Sequence, residues 1–269
     1  MNNSKKYLVR NFRFSTNGNK NQPWKDYFVK ELSQISKLDY GCFRIINRFF
    51  DAHRKNYEAK SVISERLESL KEEQEIIDIV SVNNYIFLKL KALLLKLFEN
   101  SSINEMKYRL IYSGFLEYIT MMWKKVPGQH GNVYFEPTIK YKRKKMYSGY
   151  HFENSKCDIV YRNSRLKEFT LLECKFGLRT FFNLLSACPD GKKKQLANSI
   201  RRAHNKIEYL RAFTIDITND NSDILNLEVA IVTFATRSSI NSMIHLLQGI
   251  TVIPREEIES NEIYSQIAK

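Results

Sequence analysis

The sequence predicts an α/β fold in which a central mixed β-sheet is flanked by helices and preceded by a mainly helical N-terminal region. From residue 103 onward, segments with helical or strand periodicity follow one another in the order helix, three strands, helix, strand, helix, strand. A three-strand meander that continues through a crossover helix to another strand makes a mixed sheet. The length of 269 residues suits two domains, which we place at residues 1–100 and 101–269.

The N-terminal region is predicted from its apolar spacing. Residues 1–20 are polar and suggest a loose arm or an edge strand around Tyr7. Apolar residues recur at helical spacing in 24–50, and a thin apolar stripe in the heavily charged stretch 51–80 predicts a long solvated helix. The strongly apolar stretch 83–99 predicts a buried helix.

The C-terminal region divides into segments separated by short polar turns. The periodicity predicts a helix or two in 103–125, strands at 133–143, 156–161 and 169–175, a helix at 195–213, a strand at 225–235, a short helix at 238–247 and a strand at 250–253. Residues 162–167 predict a hairpin turn between the second and third strands, and 176–189 fit neither periodicity.

Two acids and a lysine stand out around the predicted hairpin. Asp158 lies in the strand-like segment 156–161, and Glu173, Cys174 and Lys175 end the next one. Residues two apart on a strand share a face, so Glu173 and Lys175 point the same way, and pairing across the hairpin brings Asp158 beside them. Two carboxylates and an ammonium at one place predict a divalent-metal site for phosphodiester cleavage.

The pattern of an acid, any residue and a lysine is common by itself. It occurs four times in this chain, and only here does it close an apolar strand-like run. The competing interpretation is a cross-strand salt bridge between Asp158 and Lys175, which does not explain Glu173 between apolar neighbours.

The positive charge is concentrated around these residues. The chain carries a net +14, and residues 121–215 account for +13 of it. Clustered cations favour a polyanionic partner such as nucleic acid. No stretch has the length and apolar character of a membrane helix, so we expect no membrane partner, and four cysteines without zinc or disulfide spacing predict reduced thiols in a cytoplasmic protein.

Over residues 103–258 the chain resembles the PD-(D/E)XK nuclease superfamily, whose fold is restriction-endonuclease-like. Asp158, Glu173 and Lys175 match the motif, while Cys157 stands where the motif has its proline. The resemblance implies that Asp158, Glu173 and the backbone carbonyl of Cys174 bind Mg²⁺ or Mn²⁺. It also implies that Lys175 orients or deprotonates the attacking water, or stabilises charge on the phosphorus.

The resemblance also implies a glutamate on the helix before the sheet, and Glu117 fits that place. The alternative is that Glu117 is an ordinary exposed acid without a catalytic role. Glu136 in the first strand is the competing candidate for the third acid.

The helix starting at Gln195 is the second candidate site. Superfamily members place a Gln or Lys here near the scissile phosphate, and Gln195 follows Lys192, Lys193 and Lys194. The helix continues this track with further cations, Arg201, Arg202 and Lys206. The alternative is a solvated lysine run. An NTPase loop is excluded because its upstream glycine and following Ser or Thr are missing.

These expectations together describe a Mg²⁺- or Mn²⁺-dependent endonuclease acting on DNA in restriction, antiviral defence or mobile-element processing. Cutting both strands favours a homodimer, or a partner subunit held through the N-terminal region. An RNase of the same fold, or a module that binds without cutting, is the alternative.

Overall fold

The computed structural model of the chain describes residues 7–16, 22–99, 101–125, 131–218 and 222–269. The chain forms two units. The sheet unit comprises Met1–Lys20 and Pro127–Pro254, and the helical unit comprises Asn21–Val126 and Arg255–Lys269. The boundary predicted between residues 100 and 101 falls inside the helical unit, because the helix that follows it belongs to that unit too.

The α-helices are numbered in chain order. They are α1 (Tyr27–Leu38), α2 (Tyr40–Ala52), α3 (Lys60–Ile76), α4 (Asn84–Glu99), α5 (Glu105–Lys124), α6 (Leu178–Leu185), α7 (Lys194–Thr218), α8 (Arg237–Ile240), α9 (Arg255–Ile258) and α10 (Asn261–Ile267). Short 3-10 helices occupy Val9–Asn11, Pro23–Lys25 and Asn241–Leu247. Among the residues described, none of the helices has both the length and the apolar character needed to cross a membrane.

The helical unit shows where capping residues divide the predicted helical stretches. The stretch 24–50 is two helices, because the Asp39 carboxylate accepts a hydrogen bond from the Cys42 N–H and so begins α2. The charged stretch 51–80 forms the shorter helix α3, whose apolar stripe is buried at Ile63, Leu67 and Leu70. The N-terminal part of the protein is helical, as predicted.

The helical unit also contains a buried acid. Glu259 is 7% exposed, its Oε1 accepts a hydrogen bond from Asn47 at 3.2 Å, and its Oε2 lies 3.4 Å from Arg44 Nε. Burial raises the pKa of Glu259 to about 6, although Arg255, Asn47 and Arg44 act in the opposite direction.

The strands are also numbered in chain order. They are β1 (Phe12–Ser15), β2 (Asn132–Phe135), β3 (Thr138–Tyr141), β4 (Lys144–Lys145), β5 (Ile159–Asn163), β6 (Glu168–Cys174), β7 (Asn226–Val232) and β8 (Thr251–Ile253). Five of them form one sheet in the order β2-β5-β6-β7-β8, and the other three form a second sheet in the order β1-β3-β4.

The five-stranded sheet has the predicted mixed topology. Strands β2, β5 and β6 pair antiparallel, whereas β6, β7 and β8 pair parallel. Parallel neighbours need a long crossover connection, and α7 lies within the one that joins β6 to β7. The predicted α/β class and the hairpin between β5 and β6 are therefore confirmed.

The prediction of one strand at 133–143 is wrong. This stretch contains β2 and β3, which belong to different sheets. Glu136 has a φ of 41° and is followed by Pro137, which has no N–H to donate to a ladder. The ambiguous stretch 176–189 contains α6, a helix whose apolar side is buried.

The core of the sheet unit lies between the five-stranded sheet and the apolar faces of α6 and α7. Phe169 and Leu171 of the sheet and Leu210 and Phe213 of α7 are fully buried in it. The Phe169 and Phe213 rings lie 5.2 Å apart. This packing fixes α7 against β6, so side chains on that face of α7 lie beside the strand that carries Glu173.

Candidate active site

The two predicted metal-binding carboxylates lie opposite each other at one end of the β5–β6 ladder. Ile159 pairs with Leu172 in antiparallel register, so Asp158 stands across from Glu173. The Cys174 N–H donates to Asp158 Oδ2 at 2.7 Å. The hairpin therefore brings Asp158 to the C-terminal end of β6.

Glu173 and Lys175 point to the same side, as the two-residue period of a strand requires. Lys175 Nζ lies 2.5 Å from Glu173 Oε1. The Glu173 side chain is 1% exposed and the Lys175 side chain 31%, so the ammonium lies between the buried acid and solvent. The Lys175 N–H donates to the Val232 carbonyl at 2.9 Å, which extends the pairing of β6 with β7 to this lysine.

A second lysine joins the site from α7. Lys206 Nζ lies 2.7 Å from Glu173 Oε2, and it also donates to the Lys156 carbonyl. Lys206 was predicted to lie on a phosphate track, and its contact with Glu173 was not predicted. One signal existed: Lys206 lies between Ala203 and Leu210 at helical spacing, next to the apolar stripe of α7, where a solvated lysine is out of place.

The four side chains balance in charge, two carboxylates against two ammonium groups. Burial, and next the charge of Glu173, raise the pKa of Asp158 to about 6, while Lys175 and Lys206 oppose the rise. Burial also favours the neutral form of Glu173, but the two lysines bonded to it hold its pKa below the ordinary value. Both lysines are partly buried, which favours their neutral forms, yet the two carboxylates raise the pKa of Lys175 and of Lys206. Glu173 and both lysines are therefore charged at neutral pH.

The oxygen atoms at this place suit a hard divalent cation. They are the carboxylates of Asp158 and Glu173 and the backbone carbonyl of Cys174, which lies 3.5 Å from Lys175 Nζ. The Cys174 thiol belongs to a buried residue. Within the described part of the chain there is no group of three or more His, Cys, Asp or Glu that would hold a metal. Mg²⁺ commonly binds through one or two carboxylates and keeps several waters, so this donor set fits it.

The third acid predicted for the site, Glu117, lies in the helical unit and not in the sheet unit. Glu117 is a half-buried residue of α5 in the helical unit, and its catalytic role stays a prediction. Glu136, the competing candidate, is exposed between β2 and β3, and its N–H donates to the Asp158 carbonyl at 2.8 Å. Glu136 is thus bound through its backbone to a residue of the site.

The predicted phosphate track lies on and before the first turns of α7. Six of its residues are exposed: Lys192, Lys193, Lys194, Gln195, Arg201 and Arg202. Arg202 is four residues before Lys206, so the two side chains lie on the same side of the helix. The track therefore leads along α7 to the lysine that contacts Glu173.

The four cysteines have free thiols, of which Cys42, Cys157 and Cys174 are buried and Cys188 is exposed.

Comparisons with known proteins give little beyond this geometry. No family model matches the chain, and no curated protein matches it. Among solved structures, the crystal structure of protein VC1899 from Vibrio cholerae is similar at 10% identity, with a TM-score of 0.37. The similarity covers 96% of this chain and 58% of that one, so this chain spans little more than half of that protein's length. A TM-score this low does not define a shared fold.

Proposed function

We propose that the chain is a metal-dependent nuclease of the PD-(D/E)XK type that hydrolyses phosphodiester bonds in DNA. One observation carries the proposal: Asp158, Glu173 and Lys175 converge at one end of the β5–β6 ladder, with both oxygens of buried Glu173 bonded to ammonium groups. A salt bridge at the surface would need one acid and one lysine. Burying Glu173 fully beside a second carboxylate and two partly buried lysines is costly, and such clusters are typical of functional sites.

The sheet supports this type of nuclease. The sequence predicted a three-strand meander followed by a crossover helix and another strand, and β2, β5, β6, α7 and β7 follow this order. In this chain β3 and β4 stand between the first two strands of the sheet along the sequence. We infer the restriction-endonuclease-like fold from this order and from the place of the acids within it.

The residues of the site would have two roles, metal binding and the positioning of water or charge. Asp158, Glu173 and the Cys174 carbonyl would hold Mg²⁺ or Mn²⁺, and the bound ion would supply Lewis acidity toward a phosphate oxygen and water. Hydrolysis joins a water oxygen to phosphorus and releases a sugar oxygen, which must gain a proton. Lys175 keeps its proton because two carboxylates raise its pKa, so it suits holding the water or balancing negative charge on the phosphoryl oxygens.

The direct test incubates supercoiled plasmid, single-stranded DNA and RNA with the protein in Mg²⁺, Mn²⁺ or EDTA. Asp158→Asn keeps an oxygen to accept the Cys174 N–H, and Lys175→Met keeps most of its packing, so both variants should fold. We expect cleavage of DNA to fall by about 10²–10³-fold or more in each variant, and to stop in EDTA, while DNA binding persists. Asp190→Asn is the matched control, because Asp190 is an exposed acid of the same unit.

The outcomes separate the alternatives. Cleavage of RNA alone would make the protein an RNase of the same fold. Binding without cleavage under any metal would make it a nucleic-acid-binding module, and cleavage that survives in Asp158→Asn would contradict the proposed site. Double-strand cuts would support the proposed homodimer or partner subunit, since one such site cuts one strand.

A further inference from the structure

The small sheet β1-β3-β4 carries an unusual concentration of positive charge. Residues 10–16 and 138–149 contain seven Lys and Arg and no Asp or Glu. The seven are Arg10, Arg13, Lys140, Lys142, Arg143, Lys144 and Lys145. Two of them bond to neutral groups: Arg13 donates to the carbonyls of Arg10 and Phe12, and Lys145 donates to the Asn154 side chain at 3.0 Å.

The strand register places three of these cations in one row. Arg13 pairs with Lys140, and Lys140 pairs with Lys145, so all three side chains lie on the same face of the sheet. The other face is apolar and includes buried Phe12 and Ile139. Like charges directly opposite each other destabilise an antiparallel pair. A bound anion would remove that repulsion.

The turn of the β3–β4 hairpin adds two cations in a strained conformation. Lys142 and Arg143 form the two-residue loop, both are exposed, and their φ angles are 46° and 71°. Hairpin turns with positive φ at both positions favour Asn-Gly, because a longer side chain in this region costs energy. Two basic residues here place charge at the tip of the hairpin at the expense of stability, which is typical of functional positions.

A cavity of about 340 Å³ opens on the cationic face. Arg13, Phe14, Ser15, Lys140 and Arg143 line it. Three cations and a hydroxyl group around one cavity are the donors that a phosphate oxygen accepts from.

We propose that the β1-β3-β4 sheet binds backbone phosphates of duplex DNA close to the scissile bond, with the β3–β4 hairpin placed along a groove. The proposal rests on the proposed function, because that function makes the substrate a nucleic acid. A two-stranded ribbon fits the major groove of B-form DNA, whereas the major groove of duplex RNA is too narrow for side chains to reach its bases.

The chain links this sheet to the active site. β3 starts two residues after Glu136, whose N–H is bonded to the Asp158 carbonyl. Lys142 is six positions after Glu136, and an extended chain of that length spans at most about 20 Å. The tip of the hairpin therefore lies within about 20 Å of Glu136, which corresponds to about six nucleotides at about 3.4 Å per nucleotide along one strand.

The test measures binding of a fluorescent DNA duplex in EDTA, where no cleavage occurs, from about 0.05 to 1 M salt. Lys140→Gln/Arg143→Gln removes two charges from the cavity. The control Arg165→Gln/Lys167→Gln removes two exposed charges from the β5–β6 turn, at the far end of the ladder from Asp158. Each lost phosphate contact flattens the slope of log K against log salt by about 0.9, so we expect a slope change of about 1.8 and about 60-fold weaker binding at 0.1 M salt. The control should bind like the wild type.

Equal slopes for the cavity variant and the control would overturn the proposal. Equal weakening for duplex RNA and DNA would overturn the groove placement. The proposed nuclease function can fail separately. If the wild type binds DNA but never cleaves it in Mg²⁺ or Mn²⁺, the nuclease proposal is wrong and the proposal of this binding surface still stands. A wild type that cleaves DNA, with a cavity variant that binds normally, rejects the surface alone.

Discussion

Lys206→Met should tighten metal binding while it weakens DNA cleavage. In the structure Lys206 Nζ is bonded to Glu173 Oε2 at 2.7 Å, on one of the oxygens that would also bind the cation. The ammonium therefore competes with a divalent ion for the same carboxylate. Methionine keeps a long apolar side chain against the core but removes the charge and the bond.

The size of the effect follows from Coulomb's law. A divalent ion and an ammonium about 5 Å apart repel each other by about 1.7 kcal/mol even at the dielectric constant of water, and more strongly where the site is buried. Since about 1.4 kcal/mol corresponds to a factor of ten, metal affinity should rise at least about tenfold in the variant. Cleavage should fall, because the lost charge no longer helps to balance the phosphate.

Isothermal titration of the EDTA-stripped protein with Mn²⁺ measures the affinity directly, and its readout does not depend on activity. Arg201→Met is the matched control, because Arg201 is an exposed cation on the same helix. Metal affinity that stays equal or falls in Lys206→Met, with the control unchanged, would show that Lys206 does not compete for the metal-binding oxygen.

Two further predictions concern stability. Burial raises the pKa of Glu259 to about 6 from an ordinary value near 4.5. As the pH rises, the folded state therefore keeps the proton of Glu259 up to a higher pH than the unfolded state does. That stabilisation is present below about pH 4.5 and is lost as the pH rises to about 6, so between pH 4 and 7 the wild type should lose about 2 kcal/mol relative to Glu259→Gln in urea unfolding. An identical pH profile for both proteins would refute this. Lys142→Asn/Arg143→Gly should stabilise the sheet unit by about 1–2 kcal/mol and weaken DNA binding, so a variant that loses stability would contradict the strained turn.

The sequence by itself was sufficient to predict that the three motif residues meet at one place. Asp158, Glu173 and Lys175 lie on one hairpin, where a strand period of two and a short turn determine which side chains meet. The α/β class, the helical N-terminal part and the mixed sheet were also predictable, because each depends on local periodicity and on the order of elements along the chain.

Only the tertiary structure decided which distant residues join these local elements. Lys206 contacts Glu173 because the core packs α7 against β6. The apolar stripe of a helix does not by itself determine which strand the helix packs against. The break at Glu136 and Pro137 sends β3 to a second sheet, where β1 from the start of the chain pairs with it and aligns Arg13 with Lys140. Strand periodicity determines the faces of a strand, whereas the choice of its partner depends on which long-range pairing buries the most apolar surface, and that is a property of the whole fold.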